Sequence, residues 1–283
     1  MLEALIGAGF AVTGTWPMRS ELGNRMVASG SNALASSIVL VCRPRPVEAP
    51  AVSRKDFIAA LRRELATAVT ALQHGNVAPV DLAQASIGPG MAIFSGYGRV
   101  IAADGSRMTV RAALALINQV LDELLAAQEG DFDPATRWAL AWYEQFGLNA
   151  GPFGTAETLS KAKNSALAAL ATSGILESRA GKVRLLGRDE RALRWSRAED
   201  GRLTIWEAVQ RLVRRLDGDG ETEAAELLAE LRDLAEPARE LAYRLYSICE
   251  RKGWTQEALS YNGLIVAWPE LARLAGREAR LEH

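Results

Sequence analysis

The densest cluster of side chains able to do chemistry lies between residues 179 and 197. There Arg179, Lys182, Arg184, Arg188, Arg191, Arg194 and Arg197 meet only Asp189 and Glu190, which leaves a local charge of +5. Just upstream, Lys161, Lys163, Asn164 and Ser165 bring two more cations and two hydrogen-bonding side chains to what reads as the start of a helix. Guanidinium and ammonium groups beside a helix N-terminus make the electrostatic footprint of phosphate binding, so the pattern predicts a contact with DNA. The same layout also serves as a scaffold or a protein contact, and that reading stays open. A second polar set, Arg19, Asn24, Arg25 and Asn32, falls in a loop of about 20 residues, a length that usually reflects function or disorder. These side chains could reach phosphates or bases flanking a target nucleotide, or be ordinary solvated loop residues.

Other chemistries find few residues. The histidines are His74 and His283, the cysteines Cys42 and Cys249, and no zinc site can be assembled from them. Adjacent carboxylates such as Asp122 and Glu123 cannot face one another from a single helix. Gly88-Pro89-Gly90 and Gly96-Tyr97-Gly98 lack the strand-to-helix setting and the following Lys-Ser/Thr of a phosphate loop, so they read as turns. The acidic run from Asp219 to Glu240, net charge −6, reads as a solvated helix face, or alternatively as a partner for the basic cluster. The seven tryptophans fall on apolar faces and read as core rather than as a base-stacking platform.

The elements that must position these residues follow from periodicity. Phe10 to Trp16 is β-branched and aromatic and stops at Pro17; Ser37 to Arg43 is a nearly continuous apolar run before Pro44, which predicts a strand buried on both faces. Arg45 to Ser53 is Pro-rich and reads as an extended linker. Helices are expected at 55–72, with Phe57, Ile58, Leu61, Leu65, Val69 and Leu72 inward, at 81–86, and at 109–128 with Thr109 as N-cap. Short strands are expected at 91–94 and 99–102. Asp133-Pro134 opens a helix to Phe146, short helices follow at 155–163 and 165–173, and a Gly-turned hairpin spans 176–186. Three helices followed by a hairpin is the layout of a winged helix. From Thr204 the pattern is helical throughout: 205–216, 221–234, 237–251 and 255–276, broken at Gly218-Asp219-Gly220 and Lys252-Gly253-Trp254.

The composition, 49% apolar and 24% charged with net charge −1, fits a folded chain with no global pull toward nucleic acid, so any DNA surface must be local. Sparse, distant cysteines fit the reducing cytoplasm, and no window predicts a signal peptide or membrane span. The start at Leu2 reads as the last turns of a helix cut from a longer protein, and Leu281-Glu282-His283 as the stub of a polyhistidine tag.

Four stretches resemble the C-terminal half of the large bacterial proteins described as adenine-specific DNA methylases, which carry a domain of unknown function and often lie near phage-defence genes. They are Thr15 to Arg25, Ala33 to Arg43, Ala85 to Met91, and Ala242 to Tyr246 with Tyr261-Asn262. The resemblance implies a parent enzyme that uses S-adenosylmethionine to methylate an exocyclic amine of a base. The Gly-rich cofactor loop and the Asn/Asp-Pro-Pro-Tyr/Phe loop of such enzymes have no counterpart here, so no catalytic residue carries over and no cofactor is expected on this chain. The two strands then read as the closing antiparallel hairpin of a Rossmann-like methyltransferase sheet, with Trp16 to Arg19 on its catalytic side. The expectation is a mainly α chain with a small β component: hairpin region 1–46, helical linker domain 47–132, winged-helix-like subdomain 133–197, C-terminal helical domain 198–280, tag remnant 281–283. Its expected role is to bind or position DNA without catalysis, or alternatively to recruit protein partners of a defence system. The expected partners are DNA, the missing catalytic part of the same protein, and a second copy through exposed strand edges.

Overall fold

The computed structural model describes residues 2–19, 36–192 and 203–281. The chain is mainly helical, has three small sheets among the described residues, and divides into two compact units, Met1–Ala127 and Gln128–His283.

In the first unit a short helix, α1 (Leu2–Gly7), turns at Gly9 into strand β1 (Phe10–Arg19), which pairs antiparallel with β2 (Ser36–Pro44). The expected hairpin is therefore present, longer than the apolar run in β1 suggests, with a bulge between Val12 and Gly14. Strand β3 (Ala51–Ser53) lies at the end of the Pro-rich stretch and leads into α2 (Arg54–His74), capped by Ser53, whose Oγ accepts the Asp56 amide. Phe57, Leu61, Leu65 and Val69 face inward as expected.

Two expectations fail at α3 (Pro79–Gly96). Gly88-Pro89-Gly90 is not a turn and Met91 to Phe94 is not a strand; both lie inside this single helix. Tertiary packing overrides the turn propensity. A Cβ at Gly88 would stand 1.9 Å from Thr15 Oγ1, and one at Gly90 would stand 2.6 Å from Ile117, so both glycines let the helix backbone approach its neighbours. The Val12 amide donates to the buried Ser95 Oγ at 2.8 Å, which ties α3 to β1. Strand β4 (Arg99–Ile101) pairs parallel with β3, and α4 (Val110–Ala127) closes the unit. Thr109 caps α4 as expected, and its buried stripe is Val110, Ala113, Leu116, Ile117, Val120, Leu121 and Leu125.

The second unit opens with α5 (Pro134–Phe146) under the Asp133 cap, burying Trp138, Trp142 and Tyr143. Strand β5 (Gly151–Pro152) and helices α6 (Phe153–Ala162) and α7 (Leu167–Thr172) follow, then the hairpin β6 (Leu176–Arg179) and β7 (Lys182–Leu185). The three strands form an antiparallel sheet in the order β5-β7-β6. A five-residue helix, α8 (Arg188–Ala192), follows it. Then α9 (Ile205–Gly218), α10 (Glu221–Leu231), α11 (Ala235–Lys252) and α12 (Thr255–Leu281) form the helical layer that the periodicity calls for. Thr204 and Glu207 form a reciprocal capping box at α9, and Gly253, at φ 71°, ends α11. Trp206 and Trp268 are buried with the aliphatic core, whereas Trp16 of the first unit is 64% exposed, against the expectation of a core role. Among the described residues no helix is long and apolar enough to cross a membrane.

Candidate nucleic-acid interface

The hairpin is built so that its tip is polar and its base apolar. Val183, Leu185 and Leu176 point into the core of the second unit, while Glu177, Arg179, Lys182 and Arg184 alternate outward. The tip is Ala180-Gly181, with φ of 52° and 73°, the left-handed pair that a tight two-residue hairpin turn requires. The Phe153 amide donates to Gly181 O at 3.0 Å, which fixes the tip against the start of α6. Arg179 and Lys182 flank the turn and are exposed.

The remaining candidates divide. Lys161, in the last turn of α6, is exposed and makes a loose 3.9 Å ion pair with Glu157; Lys163 is half-buried at the C-cap of the same helix. Asn164 takes a positive φ of 54° in the turn between α6 and α7. Ser165 lies two residues before α7 and does not begin it, and Ala166 is the N-cap. The exposed face of α7 carries Ala168, Ala169 and Thr172 and no cation. Arg19 ends β1 opposite Ser36 in the first unit, while Asn24, Arg25 and Asn32 lie outside the described residues, as do Arg194 and Arg197.

Arg184 and Arg188 are committed within the unit. Arg184 sits across the hairpin from Glu177, to which its Nη2 donates at 2.7 Å, and its Nη1 and Nη2 donate to Glu190 at 2.8 and 2.7 Å. Glu190 and Glu177 together hold the guanidinium well above its ordinary pKa. Arg188 donates to Gln210 Oε1 through Nε at 2.9 Å and to both Glu257 oxygens at 3.1 and 2.6 Å, with its guanidinium over the Tyr261 ring. Burial opposes that charge, but Tyr261 and Glu257 more than restore it, so the Arg188 pKa is raised. The acidic run 219–240 supplies neither arginine with these partners.

Sequence reading missed the network around Glu257. A cavity of about 460 Å³ opens beside it, lined by Arg188, Glu257, Gln210, Tyr261, Trp206 and Asp189 among others. On its inner side the Tyr143 hydroxyl lies 3.3 Å from both Cys249 Sγ and Glu257 Oε2. Burial pushes the Tyr143, Tyr261 and Tyr243 hydroxyls above the ordinary phenol range and the Cys249 thiol up to about 12, so none of these groups is poised as a nucleophile or base. No spacing signal marks this network, because Arg188 and Glu257 are 69 residues apart. Among the described residues, no three His, Cys, Asp or Glu side chains converge as a metal site.

Residues 133–282 match the family model of a domain of unknown function, DUF8807. The chain belongs to that family. The match begins at Asp133, whose Oδ2 accepts the Ile205 amide while Oδ1 caps α5, so the matched region opens on the residue that joins α5 to α9. No curated protein and no solved structure matches the chain.

Proposed function

We propose that this DUF8807 chain binds DNA through its second unit and serves, without catalysing anything itself, as the positioning part of an S-adenosylmethionine-dependent adenine DNA methyltransferase. The observation that carries the reading is the solvent-facing basic tip, Arg179-Ala180-Gly181-Lys182, on a three-stranded sheet ordered β5-β7-β6. We read the succession α5, β5, α6, α7, β6, β7 as a winged helix. In such modules the hairpin meets backbone phosphates, which position the protein without reading sequence. We add to the DNA-contacting cations Lys161, in the last turn of α6, and Lys163, at its C-cap, and the uncharged face of α7 favours backbone contact over base reading.

The methyltransferase half of the proposal rests on the resemblance and on the antiparallel β1–β2 hairpin, which we read as the closing strands of a Rossmann-like sheet. Trp16 and Val39 stand opposite one another on its outer face, both exposed, and that apolar face is the surface we assign to the catalytic part of the protein. We assign S-adenosylmethionine to that catalytic part: the Gly88-Pro89-Gly90 stretch lies within α3 against Thr15 and Ile117 and offers no open glycine loop. The alternative of a partner-recruiting module through exposed tryptophans draws no support from α9 and α12, where Trp206 and Trp268 are buried.

Fluorescence anisotropy of a labelled duplex with the full chain tests the reading. At about 50 mM salt, Arg179→Gln with Lys182→Gln is expected to weaken binding about tenfold or more, and Lys252→Gln, on α11, to leave it unchanged. Equal affinity of the double variant and the natural chain would overturn it.

A further inference from the structure

The basic run contains two kinds of arginine: Arg179 is exposed beside the tip, whereas Arg184 and Arg188 are held by carboxylates. Arg184 bridges β6 and α8 by holding Glu177 and Glu190 together. Glu190 Oε2 also accepts the Gly187 amide at 2.8 Å, which fixes the turn between β7 and α8. Four residues beyond Arg184, Arg188 runs from α8 into the helical layer and ends on Gln210 of α9 and Glu257 of α12. The bonds form one continuous chain: Glu177, Arg184, Glu190, the α8 backbone, Arg188, then Glu257 and Gln210. Each side-chain link is charge-assisted, and the Arg184–Glu190 and Arg188–Glu257 links each use two donor nitrogens, a geometry that fixes direction as well as distance.

The geometry points to Arg184 and Glu190 as positioning residues, a strut that sets the direction of the hairpin against α9 and α12 while Arg179 and Lys182 alone on the hairpin meet DNA. The β5 ladder and the Phe153–Gly181 bond hold the hairpin on its β7 side; the strut adds a second tie, from β6 and β7 to α8 and on to the helical layer, so the direction of the tip is set in the fold before DNA arrives. This inference rests on the DNA-binding reading for the tip's partner, but its mechanical content does not.

Two measurements on the full chain separate these. Spin labels at Ser178→Cys on β6 and Glu226→Cys on α10, in a Cys42→Ser background with the buried Cys249 retained, report the hairpin-to-helix distance by pulsed electron spin resonance. The expected result is a narrow distribution that broadens with Arg184→Gln and with Glu190→Ala but not with Arg251→Gln, which removes the exposed pair to Glu144. A distribution unchanged by both variants overturns the strut. Salt titration of DNA affinity is the second measurement. Arg184→Gln should weaken binding at least about fivefold while leaving the slope of log affinity against log salt unchanged. Lys182→Gln should reduce that slope by about 0.9, the mark of one lost phosphate contact. A slope reduced by Arg184→Gln as much as by Lys182→Gln would make Arg184 a phosphate ligand and refute the assignment. If the natural chain binds no duplex at low salt, the functional reading falls, and the spin-label distances still decide the strut.

Discussion

Asp133 joins the N-terminus of α5 to that of α9, and replacing it by Ala should show what that junction contributes. Its Oδ1 accepts the Thr136 amide at 2.8 Å as the N-cap of α5; its Oδ2 accepts the Thr136 hydroxyl at 2.6 Å and the Ile205 amide of α9 at 3.0 Å. The Thr136 Oγ1 in turn accepts the Trp206 amide at 2.9 Å, so one side-chain pair serves the N-termini of two helices. Loss of an N-cap costs about 1 kcal/mol. Orphaning a part-buried amide that had a charged acceptor costs about 1.5–3 kcal/mol more, and the surviving Thr204–Glu207 capping box keeps α9 toward the low end of that range. The expected total is about 3 kcal/mol. In a domain of this size each kcal/mol moves the melting temperature by about 2–4 °C, so calorimetry should find the transition of the second unit lowered by about 6–12 °C. Asp133→Asn keeps the cap acceptor, loses the charge, and should fall roughly halfway. A melting temperature for Asp133→Ala within about 1 °C of the natural chain, or Asp133→Asn as damaging as Ala, would refute the reasoning.

Three further outcomes follow. Gly88→Ala drives a methyl into Thr15, so it should destabilise the first unit by about 2 kcal/mol or more, read as a shift of one calorimetric transition and not the other. Cys249 is fully buried with its thiol pushed up to about 12, so a thiol reagent at neutral pH should modify Cys42 alone until denaturant exposes a second equivalent. Tyr143, Tyr243, Tyr261 and Cys249 all have folded pKa values raised by burial, so the stability they contribute is complete below the unfolded values near 9–10 and is lost as pH rises above them. Tyrosinate absorbance should therefore emerge together with loss of helical circular dichroism above about pH 10, and titration of these phenols in a still-folded chain would contradict their burial.

The four C-terminal helices were legible because apolar residues recur at helical spacing between clear breaks at Gly218-Asp219-Gly220 and Gly253. The β6–β7 hairpin was legible because alternation and a Gly turn are local signals; β2 was legible as an apolar run, but the expected burial on both faces fails, since Val39 is exposed and none of residues 39–44 is buried. Helix α3 was not, since Gly and Pro read as punctuation, and only the closeness of Thr15 and Ile117 explains why small residues are needed mid-helix. The basic run at 179–197 was legible as charge but not as two functions. Which arginine is spent inside the fold depends on Glu257, 69 residues beyond Arg188, and on the cross-strand register that sets Glu177 opposite Arg184.

The most direct test of the DNA-positioning account is the salt dependence of duplex binding by the natural full chain. With Lys161, Lys163, Arg179 and Lys182 as the phosphate ligands, log affinity should fall linearly with log salt at a slope of about −3.6. A duplex affinity that is absent at low salt, or that does not change with salt, would contradict it.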